Sequence, residues 1–142
     1  LTMFWQGVFN IDVENIQKYH TDFWSVRETG SNKGRRLLDA WSPSNPDSDI
    51  PAISATDTNW ENRLSTYFIE NGSYLKLRTL QLGYTLPKRW AFKVKMDKFR
   101  LYVSGQNLLT IKSKSFTGID PENPAFGYPI PMSFTVGANI SF

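Results

Sequence analysis

Cysteine is absent from all 142 residues, so disulfide staples and thiolate metal sites are excluded, while the compartment stays open. Histidine occurs once, as His20, and a zinc site built around it would have to rely on carboxylates; a structural or surface role is the simpler reading. No run approaches the roughly 18 to 20 consecutive apolar residues of a membrane helix, which excludes a helical membrane protein. A membrane β-barrel is untouched by that absence, because half of each of its strands is polar. No nucleophile elbow of the G-x-S-x-G kind is present, and the chain is read as non-enzymatic, with no cofactor. "NPDSDIP" and "DTNWEN" offer oxygen ligands of the sort calcium accepts, yet neither has the spacing of a calcium loop, and both read as solvated turns. The opening "LTMFWQGVF" lacks the charged start and small-residue cleavage site of a signal peptide and reads as a strand already under way, which leads to the expectation of a longer polypeptide.

What the chain has is aromatics, 15% of all residues, and a charge that is unevenly spread. Residues 10–73 carry six cations and ten acids, a net of −4, so the remainder sums to +7. Lys88, Arg89, Lys93, Lys95 and Lys98 crowd one short connector with a single acid, Asp97. No nucleic-acid module surrounds them, so the cluster reads as a solvated turn and nucleic acid is not expected as a partner.

Alternation with a period of two is the strongest signal. In "FTVGANISF" Phe134, Val136, Ala138, Ile140 and Phe142 interleave with Thr135, Gly137, Asn139 and Ser141. That is the period of a strand with one apolar and one polar face. Four such strands are expected, at 1–9, 74–86, 98–109 and 132–142, giving an all-β chain. At 74–86 the phase changes: Tyr74, Lys76 and Arg78 precede Leu80, Leu82 and Tyr84 on the even positions. A bulge produces this by shifting the phase; the reading favoured from sequence is one unbroken strand that leaves water and enters lipid near Thr79. Pro87, with no amide to donate, closes it.

The connections alternate long, short, long. Residues 10–73 are polar and turn-rich, with a short helix possible around "NRLSTYFIE"; 87–97 form a short turn; "FTGIDPENPAFGYPIP" holds four prolines and two glycines that forbid a long regular element. Outer-membrane barrels place short turns in the periplasm and long loops outside. On that pattern 10–73 and 110–131 are extracellular, and 87–97 and the C-terminus are periplasmic. Four strands leave open edges in lipid, so a larger barrel is expected. A soluble β-sandwich binding module also accounts for short strands, aromatics and polar loops, although few strands around one very large loop suit it poorly. Another outer-membrane porin shares the barrel architecture.

"FWQGVFN", "STYFIENGSYLKLRTLQLGYTLP", "FRLYVSGQNLLTI", "FTGIDPENP" and "YPIPMSFTVGANISF", in this order, resemble the C-terminal end of SusC/RagA-family TonB-linked outer-membrane transporters. The resemblance implies the last strands of a large antiparallel transmembrane barrel of roughly 22 strands whose lumen is plugged. It further implies import of oligosaccharides or peptides with TonB energy, and a SusD-like surface lipoprotein as lid. The TonB box and plug are not in this sequence. The resemblance also assigns Phe134, Val136, Ala138, Ile140 and Phe142 to the signal read by the outer-membrane insertion machinery, Ile140 standing where an aromatic is often found. Trp24, Trp41 and Trp60 in the large loop are read as packing in that loop's own core or as contact with the lid, ahead of ligand stacking.

Overall fold

The structure is a computed structural model that describes residues 1–24, 32–54, 60, 63–125 and 127–142. It divides into a sheet unit, residues 1–9, 73–112 and 130–142, and a loop unit, residues 10–72 and 113–129.

The sheet unit is built from β1 (Thr2–Val8), β4 (Tyr74–Thr85), β5 (Lys98–Lys112) and β6 (Ser133–Ser141), antiparallel throughout and neighbours in that order. β2 (Asp12–Glu14) and β3 (Ile69–Asn71) form a separate small ladder in the loop unit. At about 3.3 Å per residue, the 15 residues of β5 reach roughly 50 Å, longer than a tilted strand needs to cross a bilayer.

Residues directly opposed across an antiparallel ladder share a face. The pairings Leu80–Gly105–Phe134, Leu82–Val103–Val136, Tyr84–Leu101–Ala138 and Phe99–Ile140 therefore build one apolar face, and Met3 joins it opposite Leu80. The other face carries Thr79–Gln106–Ser133, Gln81–Ser104–Thr135, Gly83–Tyr102–Gly137 and Thr85–Arg100–Asn139. Phe4, opposite Thr79, is the one large apolar side chain that β1 adds to this polar face. Two glycines make room there: a Cβ on Gly137 would fall 2.4 Å from the Tyr102 hydroxyl, and one on Gly83 would fall 2.7 Å from the Arg100 guanidinium. Arg100 and Tyr102 thus lie over neighbouring strands, which close packing on a bare backbone permits.

The expectation of an unbroken strand over 74–86 is corrected by the register. β4 is one element, but Leu77 pairs with Trp5 and Leu109 while Thr79 pairs with Phe4 and Gln106, so Arg78 is skipped on both sides. The register shift crosses the sheet at one level, and β5 accommodates it with Asn107 in the left-handed region at φ 53°. Side chains fasten that level: Arg78 donates to Gln6 at 2.8 Å and to Asn107 at 3.2 Å, and Asn107 donates to the Pro131 carbonyl at 3.3 Å. The change from charged to apolar along β4 coincides with this bulge.

Between β4 and β5 stands α2 (Lys88–Ala91), followed by a 3-10 turn, Phe92–Val94, and Lys95 at φ 57°. In the loop unit, α1 (Ile16–Tyr19) is capped by Asn15, whose side chain accepts from the Lys18 N–H at 3.1 Å, and it runs into a π-turn, His20–Trp24. The short helix considered around "NRLSTYFIE" is a single 3-10 turn, Thr66–Phe68, that leads into β3.

Candidate functional site

The apolar face of the sheet is exposed: Leu82 at 58%, Phe134 at 70% and Val136 at 77% of their full area stand open. A contiguous apolar patch of this kind marks a surface that meets lipid or protein. A groove of about 430 Å³ runs along it over Leu82, Tyr84, Leu101, Val103 and Val136. Phe134, Val136 and Ile140 sit exposed on β6, Ala138 joins them in register, and Phe142 lies one residue past the strand, 83% exposed.

The loop unit has its own core. Phe68 is 1% exposed, with its ring centroid 5.6 Å from Tyr19, 5.9 Å from Phe23 and 5.3 Å from Tyr67, the last two edge-on. Trp41 and Trp60 are 45% and 68% exposed. "DTNWEN" falls almost wholly outside the described residues. "NPDSDIP" forms a turn: Asn45 and Ser48 side chains donate to the Asp39 carbonyl, and the Trp41 N–H donates to Ile50 at 2.8 Å. His20 meets the Tyr19 ring edge-on, and no group of three metal-ligating side chains stands together among the described residues.

Around the aromatic core lies a polar network that joins the two segments read from sequence as separate loops. Asn15, wholly buried, donates to Glu70 at 2.9 Å and to Thr117 at 3.1 Å. Glu70 also accepts from the Thr117 N–H and hydroxyl, each at 2.8 Å, and pairs with Lys18 at 3.5 Å. Asp22, also wholly buried, accepts from the Tyr67 hydroxyl at 2.8 Å, from Arg36 at 3.0 Å and from Thr21 at 3.0 Å. Gln17 accepts from the Ile119 N–H at 2.9 Å and donates to the Ala125 carbonyl at 3.2 Å. Sequence separations near a hundred residues hid this network; the capping Asn15 before a short helix was its only local sign.

Burial pushes the Tyr67 phenol up, and its hydrogen bond to Asp22 pushes it further, so it stays a neutral donor. Burial alone would also raise the Glu70 carboxyl. It is overcome by the Thr117 N–H, the Asn15 amide, the Thr117 hydroxyl and the Lys18 ammonium, which together hold Glu70 below its ordinary 4.5. A carboxyl lowered by folding contributes fully above its unfolded value and loses that contribution as pH falls through the folded one. Hydrogen exchange of the Thr117 amide, corrected for its intrinsic rate, should therefore accelerate as pH falls below the ordinary carboxyl value of 4.5 and through the lowered one. Glu70→Gln should abolish that inflection; an identical profile in both proteins would refute the linkage.

No family model matches the chain. Curated relatives do: TonB-dependent receptor P3 of Formosa agariphila is 34% identical over 84% of this chain and 13% of its own length. TonB-dependent receptor P26 of the same organism is 30% identical over 99% of this chain and 15% of itself. TonB-dependent receptor SusC of Bacteroides thetaiotaomicron is 30% identical over 85% of this chain and 12% of itself. The chain thus spans less than a sixth of the length of these relatives. Among solved structures, the RagAB peptide importer in its open-open state superposes with a TM-score of 0.73 at 26% identity, over 99% of this chain and 15% of that one. Its closed-closed state gives the same values. Taken with the antiparallel sheet and its open apolar face, these likenesses assign the chain to the SusC/RagA family of TonB-dependent receptors, as a short C-terminal stretch of the barrel.

Proposed function

We propose that this chain forms part of the wall of an outer-membrane barrel that imports oligosaccharides or peptides, energised through TonB by a part of the protein outside this chain. The observation that carries the reading is the clean division of the sheet into an exposed apolar face and a polar face lined by Arg100, Tyr102, Gln106 and Asn139. In hydrocarbon every ladder group needs a partner, so the free edges of β1 and β6 call for further strands. A soluble sandwich would cover the apolar face with a second sheet, whereas Leu82, Val103, Phe134 and Val136 stand exposed.

In this reading residues 10–73 and 110–131 face the exterior, and 87–97 and the C-terminus lie on the periplasmic side of a Gram-negative cell's outer membrane. The exposed Trp41 and Trp60 then suit contact with a SusD-like lipoprotein lid. Phe134, Val136, Ala138, Ile140 and Phe142 serve the insertion machinery during assembly and lie against lipid afterwards. A peptide cargo has the support of the RagAB likeness, and oligosaccharides stay in view through the family resemblance read from the sequence alone.

Because the chain has no cysteine, topology is testable with single thiols in a full-length protein otherwise cleared of them. Asp47→Cys should react with a membrane-impermeant maleimide on intact cells, and Lys93→Cys only after the outer membrane is permeabilised. The reverse pattern would overturn the orientation, and recovery of the protein in the soluble fraction would overturn the barrel.

A further inference from the structure

A carboxylate leaves water at a cost unless donors take the water's place, so a buried acid marks a point where the chain around it is committed to one arrangement. The loop unit holds Asp22 wholly buried and Glu70 with its side chain 7% exposed. The two belong to one closed circuit of contacts. The Tyr67 hydroxyl and the Arg36 guanidinium donate to Asp22, Arg36 also donates to the Thr117 hydroxyl, and that hydroxyl donates to Glu70. Lys18 pairs with Glu70 and returns to Tyr67, donating to its carbonyl and standing 3.7 Å from its ring centre. Five of the six members come from residues 10–72, and Thr117 is the sixth.

The Thr117 hydroxyl uses its whole hydrogen-bonding capacity here: its hydrogen goes to Glu70, and its two lone pairs are taken by Arg36 and by the buried Asn15. The residues on either side seat it. Phe116 is 3% exposed, and a Cβ on Gly118 would fall 2.5 Å from the Phe116 ring and 3.2 Å from the Asn15 amide oxygen. Gln17 holds the same segment a second time, through the Ile119 N–H and the Ala125 carbonyl. Opening 113–129 by itself would strand Asn15, Arg36 and Glu70 together, and in a network of buried polar groups such a loss is passed to the neighbours.

We infer that residues 10–72 and 113–129 are a single conformational element, with 113–129 a strap latched through Thr117, so that displacing either connection displaces the other. The coupling stands on contacts within the loop unit; its consequence for import rests on the barrel reading above. There both connections face the exterior, and a lid or cargo that shifts the segment bearing Trp41 carries the strap between β5 and β6 with it.

The test is hydrogen exchange, read by mass spectrometry on peptides from the full-length transporter in detergent. Tyr67→Phe removes one hydroxyl at Asp22 and lies in the other segment from the strap. Exchange in residues 116–125 should nonetheless rise roughly five-fold, the change that about 1 kcal/mol of lost hydrogen bonding corresponds to. Gly118→Ala works from the opposite side, removing no polar group and pressing on the Phe116 ring. It should raise exchange in residues 13–22 by a similar factor, since coupling is reciprocal. Asn45→Ala cuts a hydrogen bond to the Asp39 carbonyl, inside 10–72 but outside the circuit, and should leave 116–125 within about two-fold of the parent. Acceleration confined to the segment that carries the substitution, in either Tyr67→Phe or Gly118→Ala, would overturn the coupling. Equal acceleration of 116–125 by Asn45→Ala would overturn the latch in favour of general loosening. Failure of the barrel reading would show separately, as the reverse labelling of Asp47→Cys and Lys93→Cys with the coupling intact.

Discussion

Val136→Arg is expected to destabilise the assembled full-length barrel by about 2–4 kcal/mol, because on the proposed lipid face it puts a guanidinium into hydrocarbon near the bilayer midplane. Val136 is the fourth residue of the nine in β6, lies in the row of Leu82 and Val103, and is 77% exposed. Its neighbour Thr135 shares the opposite face with Gln81 and Ser104, where water and polar side chains can solvate a charge. Thr135→Arg should cost under about 1 kcal/mol, so the two adjacent positions act as each other's control. Removing Phe142 should behave differently again, lowering the quantity of barrel inserted while leaving the inserted fraction as heat-resistant as the parent. Outer-membrane abundance and the temperature of heat-modified migration of the three variants separate these outcomes. Equal tolerance of arginine at 135 and 136 would contradict a lipid face and a lumen face.

The two-residue period was enough to place Leu82, Val103 and Val136 on one face, because a strand in a two-sided environment writes its faces directly into neighbouring residues. The period said nothing at Arg78. There the phase changes for a reason that only the partner strands supply: β1 and β5 are out of step with β4 at that level, and Gln6 and Asn107 meet the Arg78 side chain. The loop unit was less legible still. Its elements are three to five residues long, too short to show a period, and its closing contacts join Asn15 and Gln17 to Thr117 and Ile119 across about a hundred residues. Abundant Asn, Ser, Asp and Pro correctly signalled turns in 10–73. It hid that Asn15 and Asp22 are fully buried and that Phe68, inside the "STYFIEN" stretch, is the centre of a core.

That core supplies the second large effect. Phe68→Ala should destabilise the loop unit by about 3–5 kcal/mol, since it removes a fully buried ring and leaves a cavity that short elements close poorly. The ring meets Phe23 and Tyr67 edge-on, so each of those pairings, worth about 0.5–1.5 kcal/mol beyond burial, is lost with it. The backbone at this point also matters, because the Phe68 carbonyl accepts from the buried Asn15 N–H at 2.8 Å. A residue that refills part of the space keeps that backbone in place, and Phe68→Leu should therefore cost clearly less than the alanine. Trp41→Ala, at an exposed ring, should change stability by no more than about 0.5 kcal/mol. Limited proteolysis of the full-length protein, followed by mapping of cuts within 10–72, reports the difference, with cleavage rate rising in the order Trp41→Ala, Phe68→Leu, Phe68→Ala. If Phe68→Ala is cut no faster than the parent, the aromatic cluster does not hold this segment together, and the polar contacts of Asn15, Asp22 and Glu70 must do so alone.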